Sequence, residues 1–133
     1  MLGKSSAPIV HIVITKYHPQ VSQSERHLLA TKMLALRHTC VLDGKPYILS
    51  LSGGKNKNPE GYDHGFEVLL PPYHLTLERS ICFPGQHAFV MTFATFADRE
   101  YYLHEDPVHL EFKTELLLKV ASACVMDYEP GVF

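Results

Sequence analysis

The sequence contains no tryptophan and only three cysteines, Cys40, Cys82 and Cys124. They are odd in number, widely spaced and free of any CxxC pattern, which excludes a disulfide framework and a paired-thiol metal site. They read as reduced, mostly buried thiols of a cytoplasmic protein. No apolar run approaches the roughly 20 residues that cross a bilayer, and Lys4, Ser5 and Ser6 interrupt what would be the centre of a secretory signal. Charge of one sign is scarce too, with a formal net charge of -2 when histidine is neutral. The longest basic cluster is the sparse "GGKNKN" from Gly53 to Asn58, which argues against a nucleic-acid-binding face. The same segment lacks the GxxxxGK[ST] spacing of a phosphate loop, so its glycines are expected to serve a turn. What is present is ordinary for one soluble domain: 133 residues, 46% hydrophobic and 20% charged.

The pattern along the chain is α+β. "PIVHIVITKYH" (8–18) is a strand, with His11, Val13, Thr15 and Tyr17 on one face and Val10, Ile12, Ile14 and Lys16 on the other. Both faces are largely apolar, so both should be covered. Ser22 and Glu25 form a capping box for a helix whose buried stripe is Leu29, Met33, Leu36 and Cys40. "LDGKP" ends it, and a second strand runs from Tyr47 to Lys55. A third spans His87 to Thr95. Asp98 is expected to cap a short helix over Arg99 to Leu103, leaving Asp98, Arg99 and Glu100 as a solvated helix start. Asp106 caps a longer helix with Pro107 at its first position. Its wide apolar side is Leu110, Leu117, Phe112, Leu116 and Val120, and "ASACVMDYEP" is the last strand. The order β-α-β-β-α-β is the ferredoxin-like arrangement of a single domain over 8–130. One sheet face stays bare in that arrangement, so a homodimer pairing through it is expected.

Residues 68–86 break this order. They carry Pro71, Pro72 and Pro84, several apolar residues and Cys82, and they fit neither the strand before nor the strand after.

Histidine is abundant, nine in all, and three positions suggest chemistry. His109 sits in the first turn of the helix capped by Asp106, where the positive end of the dipole disfavours imidazolium and leaves a neutral base. His11 lies inside the first strand, where histidines usually serve structure. His87 starts the third strand on the face of Phe89, Met91 and Phe93. A helix covering that face can bring all three histidines to one pocket, with Tyr102 adding a phenol and Phe89, Phe93 and Tyr17 an aromatic wall. No metal set is completed, since His104 and His109 are not on one helical face and no cysteine or carboxylate pair joins them.

"HIVITKY", "LSLSGGKNKNPEG", "HAFVMTFATFADREYYLHEDPVH" and "VMDYEP" resemble the stress-responsive dimeric α/β-barrel family, most closely its fungal members. The resemblance spans Val10 to Pro130. It implies two four-stranded sheets packed face to face across a two-fold axis. In the fungal members "HGFE" or a similar run passes directly into "HAFVMTF", which implies that Val68 to Gln86 is an addition. Its nineteen residues are in frame, begin with a GT codon and can end with CAG, the two ends of an intron. A genuine surface insertion is the other reading, since loop-closure entropy grows slowly with length.

The chain is also similar in part to the family's polyketide cyclases, the olivetolic acid cyclase type. That resemblance implies catalytic His11, His87, Tyr102 and His109 and no cofactor. A neutral His109 would take a proton from a carbon between two carbonyls, Tyr102 would donate to the developing oxyanion, and His11 and His87 would orient the substrate. "YYLHEDPVH" is one residue longer than the family turn, leaving Tyr101 and Tyr102 as rivals, and His64 in "EGYDHGFEV" rivals His87. A non-catalytic homodimer binding a small apolar ligand or a partner is the alternative. A cofactor-free or haem-cleaving oxygenase is weaker, because such sites often use tryptophan. The intron reading predicts a native chain nineteen residues shorter than this sequence; an intact mass of the protein from its source that includes Val68 to Gln86 overturns it.

Overall fold

The computed structural model describes residues 7–57 and 86–133. Residues 58–85, which include His64, Cys82 and all but the last residue of the 68–86 stretch, lie outside the described residues. The elements are β1 (Ile9–Tyr17), α1 (Gln23–Thr39), β2 (Val41–Leu42), β3 (Lys45–Pro46), β4 (Ile48–Lys55), β5 (His87–Phe93), α2 (Phe96–His104), α3 (Pro107–Leu117) and β6 (Val120–Tyr128). The main sheet is antiparallel with order β4-β5-β1-β6, the ferredoxin-like topology.

Alternation in β1 divides the sheet as expected. His11, Val13, Thr15 and Tyr17 are buried, and Val13 and Tyr17 pack with Leu29, Met33 and Leu36 of α1 and Phe112 of α3. Register places Ile12 between Val90 and Met126, and Ile14 between Ala88 and Cys124. Those side chains share the opposite face, where Val90 and Met126 are 39% and 60% exposed. Cys124 is exposed there as well, so only Cys40 among the described cysteines is buried. Burial, with Asp106 nearby, pushes the Cys40 thiol up to about 12, which makes it inert.

Local chemistry sets the boundaries. Ser22 Oγ accepts from the Glu25 N–H at 3.2 Å while Glu25 accepts from the Ser22 N–H at 2.8 Å, closing the expected capping box. "LDGK" does more than end α1. Asp43 and Gly44 both have positive φ, 52° and 76°, and turn a tight hairpin between β2 and β3. The second helix starts earlier than expected. Its cap is Thr95, whose Oγ1 accepts from the Asp98 N–H at 3.1 Å, so Asp98 lies within the first turn. In α3, Phe112 is buried and Leu116 packs partly against the core. Leu117 and Leu118 point outward, 56% and 75% exposed, because the chain leaves the helix there to enter β6.

Asp106 ties this end together. Its carboxylate accepts from the N–H groups of Val108 (2.9 Å) and His109 (3.4 Å) and from the Tyr47 hydroxyl (2.5 Å). Asp106→Ala removes the cap and leaves a buried phenol without a partner, an expected loss of roughly 2–4 kcal/mol in urea unfolding. Adding Tyr47→Phe to Asp106→Ala is expected to recover part of that loss.

Candidate functional site

Three of the expected site residues converge at the end of the sheet where β1 begins. His11 projects from β1, and Tyr102 and His109 come from α2 and α3. Tyr102 is fully buried, with its ring stacked on His109 (centroids 3.8 Å apart, 25° between planes) and edge-on to His11 at 5.9 Å. Phe93 closes the group, 5.1 Å from Tyr102 and 6.3 Å from His11. Tyr102 is therefore the inward tyrosine. Tyr101 stays part-exposed, edge-on to Tyr47 at 5.5 Å.

Hydrogen bonds assign the tautomers. His109 Nδ1 lies 2.7 Å from the Tyr102 carbonyl oxygen, which can only accept, so Nδ1 carries the hydrogen and Nε2 of the neutral ring carries the lone pair. His11 Nδ1 likewise donates to the carboxylate of Asp127 on β6. Asp127 is gripped in turn by Arg99 of α2, whose Nε donates at 2.9 Å and whose Nη2 also donates. Arg99 is thus drawn to a half-buried partner, correcting its reading as part of a solvated helix start. Asp127 and Arg99 were not among the expected site residues. Asp127 is the polar residue in "VMDYEP" opposite His11, a pairing visible only once β6 is registered on β1.

Electrostatics separate the roles. Burial lowers His109 to about 4, outweighing the bond to the Tyr102 carbonyl. The imidazole is neutral at physiological pH, as expected, although burial rather than the helix dipole is the main cause. Burial also raises the Tyr102 phenol, keeping its hydrogen in place. The Tyr102 hydroxyl has no hydrogen-bond partner among the described residues.

His87 falls outside this group. It pairs with Thr15 across the sheet, four residues along β1 from His11, about 13 Å away. There its Nδ1 is 2.9 Å from the Tyr17 hydroxyl, and its ring is edge-on to Tyr17 and Phe89. The expected single pocket for three histidines is divided between two ends of one face. A cleft of about 470 Å³ lies at the His87 end, between α1 and β4, and its lining includes Phe89 but not His11, Tyr102 or His109. Among the described residues, no group of three or more His, Cys, Asp or Glu could hold a metal ion, and no helix is long and apolar enough to cross a membrane.

No family model matches the chain, and no curated protein matches it. Solved structures do. The hydroxynitrile lyase from Passiflora edulis is similar at 20% identity and TM-score 0.69, over 97% of this chain and 99% of that one. A Dabb-family protein with a ferredoxin-like fold from Mesorhizobium loti is similar at 20% identity and TM-score 0.56, over 93% and 97%. SnoaB, a cofactor-independent oxygenase from Streptomyces nogalater, is similar at 7% identity and TM-score 0.61, over 96% of each chain. Others include dimeric ferredoxin-like proteins of unknown function from Bacteroides fragilis and Thermobifida fusca. These likenesses establish the fold as the ferredoxin-like α+β arrangement.

The depressed His109 value has a consequence for stability. The unfolded chain takes up this proton near the ordinary 6.5 and the folded one only near 4, so stability present above pH 6.5 is lost as pH falls towards 4. The expected contribution is roughly 3 kcal/mol. His109→Gln should flatten that part of the pH–stability profile in urea unfolding measured from pH 7 to 4.

Proposed function

We propose that the protein belongs to the stress-responsive dimeric α/β-barrel family and is a cofactor-free lyase. Its reaction on this reading is aldol ring closure of a poly-β-ketone. The observation that carries the proposal is the hydroxyl of Tyr102, which has no hydrogen-bond partner among the described residues and is packed between His11, which Asp127 orients, and a neutral His109. A buried phenol without a partner is costly to stability, and it becomes useful when a substrate oxygen accepts from it.

In this mechanism His11 Nε2 takes a proton from the carbon between two carbonyls, and the electron pair moves to a carbonyl oxygen. Tyr102 donates a hydrogen bond to that enolate oxygen. The enolate carbon attacks a second carbonyl, forming the ring bond, and the resulting alkoxide recovers the proton from His11. Loss of water then leads to the aromatic ring. The base is His11 rather than His109, because a group near 4 is a weak base at neutral pH. His109 supports Tyr102 by stacking. A cofactor-independent oxygenase and a lyase among the structures of the same fold are in keeping with this reading, the first for the absence of a cofactor and the second for the reaction class.

A second reading, a non-catalytic dimer that binds a small molecule, has its own observation: the cleft passes His87 and Phe89 while the Tyr102 cluster is closed over. Tyr102→Phe separates the two. On the enzyme reading the variant is as stable as the wild type or more so, yet a gene carrying it fails to restore the product lost on deletion in the source organism. Full restoration by a stably folded Tyr102→Phe protein sinks the lyase.

The bare sheet face bearing Ile12, Val90 and Met126 is the proposed homodimer surface, in keeping with dimeric proteins of this fold. Val90→Lys with Met126→Glu is expected to convert a dimer into a monomer in sedimentation velocity.

A further inference from the structure

The cleft at the His87 end has an electrostatic character that neither reading above uses. Its floor is apolar, formed by Ala30 and Leu34 of α1 and Phe89 of β5. The Phe89 ring lies so close over Gly53 that a Cβ there would stand 2.4 Å from it. The absence of a side chain at Gly53 is what lets Phe89 lie flat and leaves the space above it open. The rim is cationic: Arg26 and Lys55 border both this cleft and an adjoining one of about 150 Å³. Gln23 and His87 border both as well, and among the described residues no carboxylate lines either.

Neither cation has an acidic partner among the described residues. Arg26 donates from Nε to the Val21 carbonyl (3.0 Å) and from Nη2 to the His18 carbonyl (3.3 Å), and stands over the Tyr17 ring at 5.4 Å. Those bonds fix the guanidinium without neutralising it. Glu25, its neighbour in α1, is engaged elsewhere, in the capping box and with Lys119 at 3.1 Å. Lys55 ends β4, exposed to solvent. His87, lowered by burial and then by Arg26, Lys55 and His27, adds a neutral polar group rather than a third charge. One held guanidinium and one exposed ammonium, neither with an acidic partner among the described residues, stand beside this apolar floor and favour an anionic head on an apolar body.

We propose that this cleft binds a small organic carboxylate, its head at Arg26 and Lys55 and its apolar body on Ala30, Leu34 and Phe89. The inference rests on neither functional reading, since an enzyme and a non-catalytic binder can both take an acid through this mouth.

Calorimetric titration of the full-length chain with octanoate and with 1-octanol tests it, because the two share an eight-carbon body and differ in charge. Octanoate is expected to bind at least about fivefold more tightly than octanol at low salt. Lys55→Gln should remove most of that advantage, Lys55→Glu should weaken octanoate by about tenfold, and neither should change octanol binding. Leu34→Asn is expected to weaken both. Equal affinity for the two ligands, binding of neither, or octanoate binding indifferent to Lys55→Gln and Lys55→Glu at unchanged melting temperature overturns the proposal.

Discussion

The carboxylate of Asp106 holds the end of the molecule where the candidate catalytic group lies. It is almost fully buried, and it accepts from two N–H groups of α3 and from the Tyr47 hydroxyl beside β4. Through the first pair it starts the helix that carries His109; through the second it fastens that helix to the sheet. The stacking of His109 on Tyr102, and the approach of Tyr102 to His11, depend on that placement. A carboxylate at this depth is tolerated because each of its contacts is a donor. Burial, with the same negative charge adding to it, keeps the neighbouring phenols of Tyr47 and Tyr102 protonated.

Two ends of one sheet face carry different chemistry. One is closed, aromatic and centred on Tyr102, with His11 aligned by Asp127 and Arg99. The other is open, cationic at its rim and centred on His87. Thr15 and Val13 separate them along β1. Both side chains are buried, so the two ends are separate environments on one face.

Much of the fold was legible because short-range rules govern it. Alternation in β1, the capping box at Ser22 and the Asp106-Pro107 start of α3 each follow from neighbouring residues, and each stands in the structure. Where a neighbour competed, the reading failed: Thr95, not Asp98, caps α2, since an extended threonine three residues earlier offers its hydroxyl first. The Asp43-Gly44 turn was written plainly but overlooked as the end of a helix. Of the candidate site, Tyr102 and His109 could be paired by their spacing across a helix start. Asp127 could not, because its meaning depends on strand register across more than a hundred residues of chain. For the same reason His87 could not be told from His11 as a member of the group.

Asn56 and Gln86 are joined by a backbone hydrogen bond of 2.8 Å, and Gln86 is fastened to β1 through Thr15 and Tyr17. The chain between them therefore leaves and re-enters the sheet at one point. In evolutionary terms, such a closed gate makes the length of the intervening segment a nearly free variable. Residues can be gained or lost there without shifting β4 against β5, at an entropic cost that rises only logarithmically. The fastening at Gln86 thus makes the register of the sheet independent of what lies between the two residues.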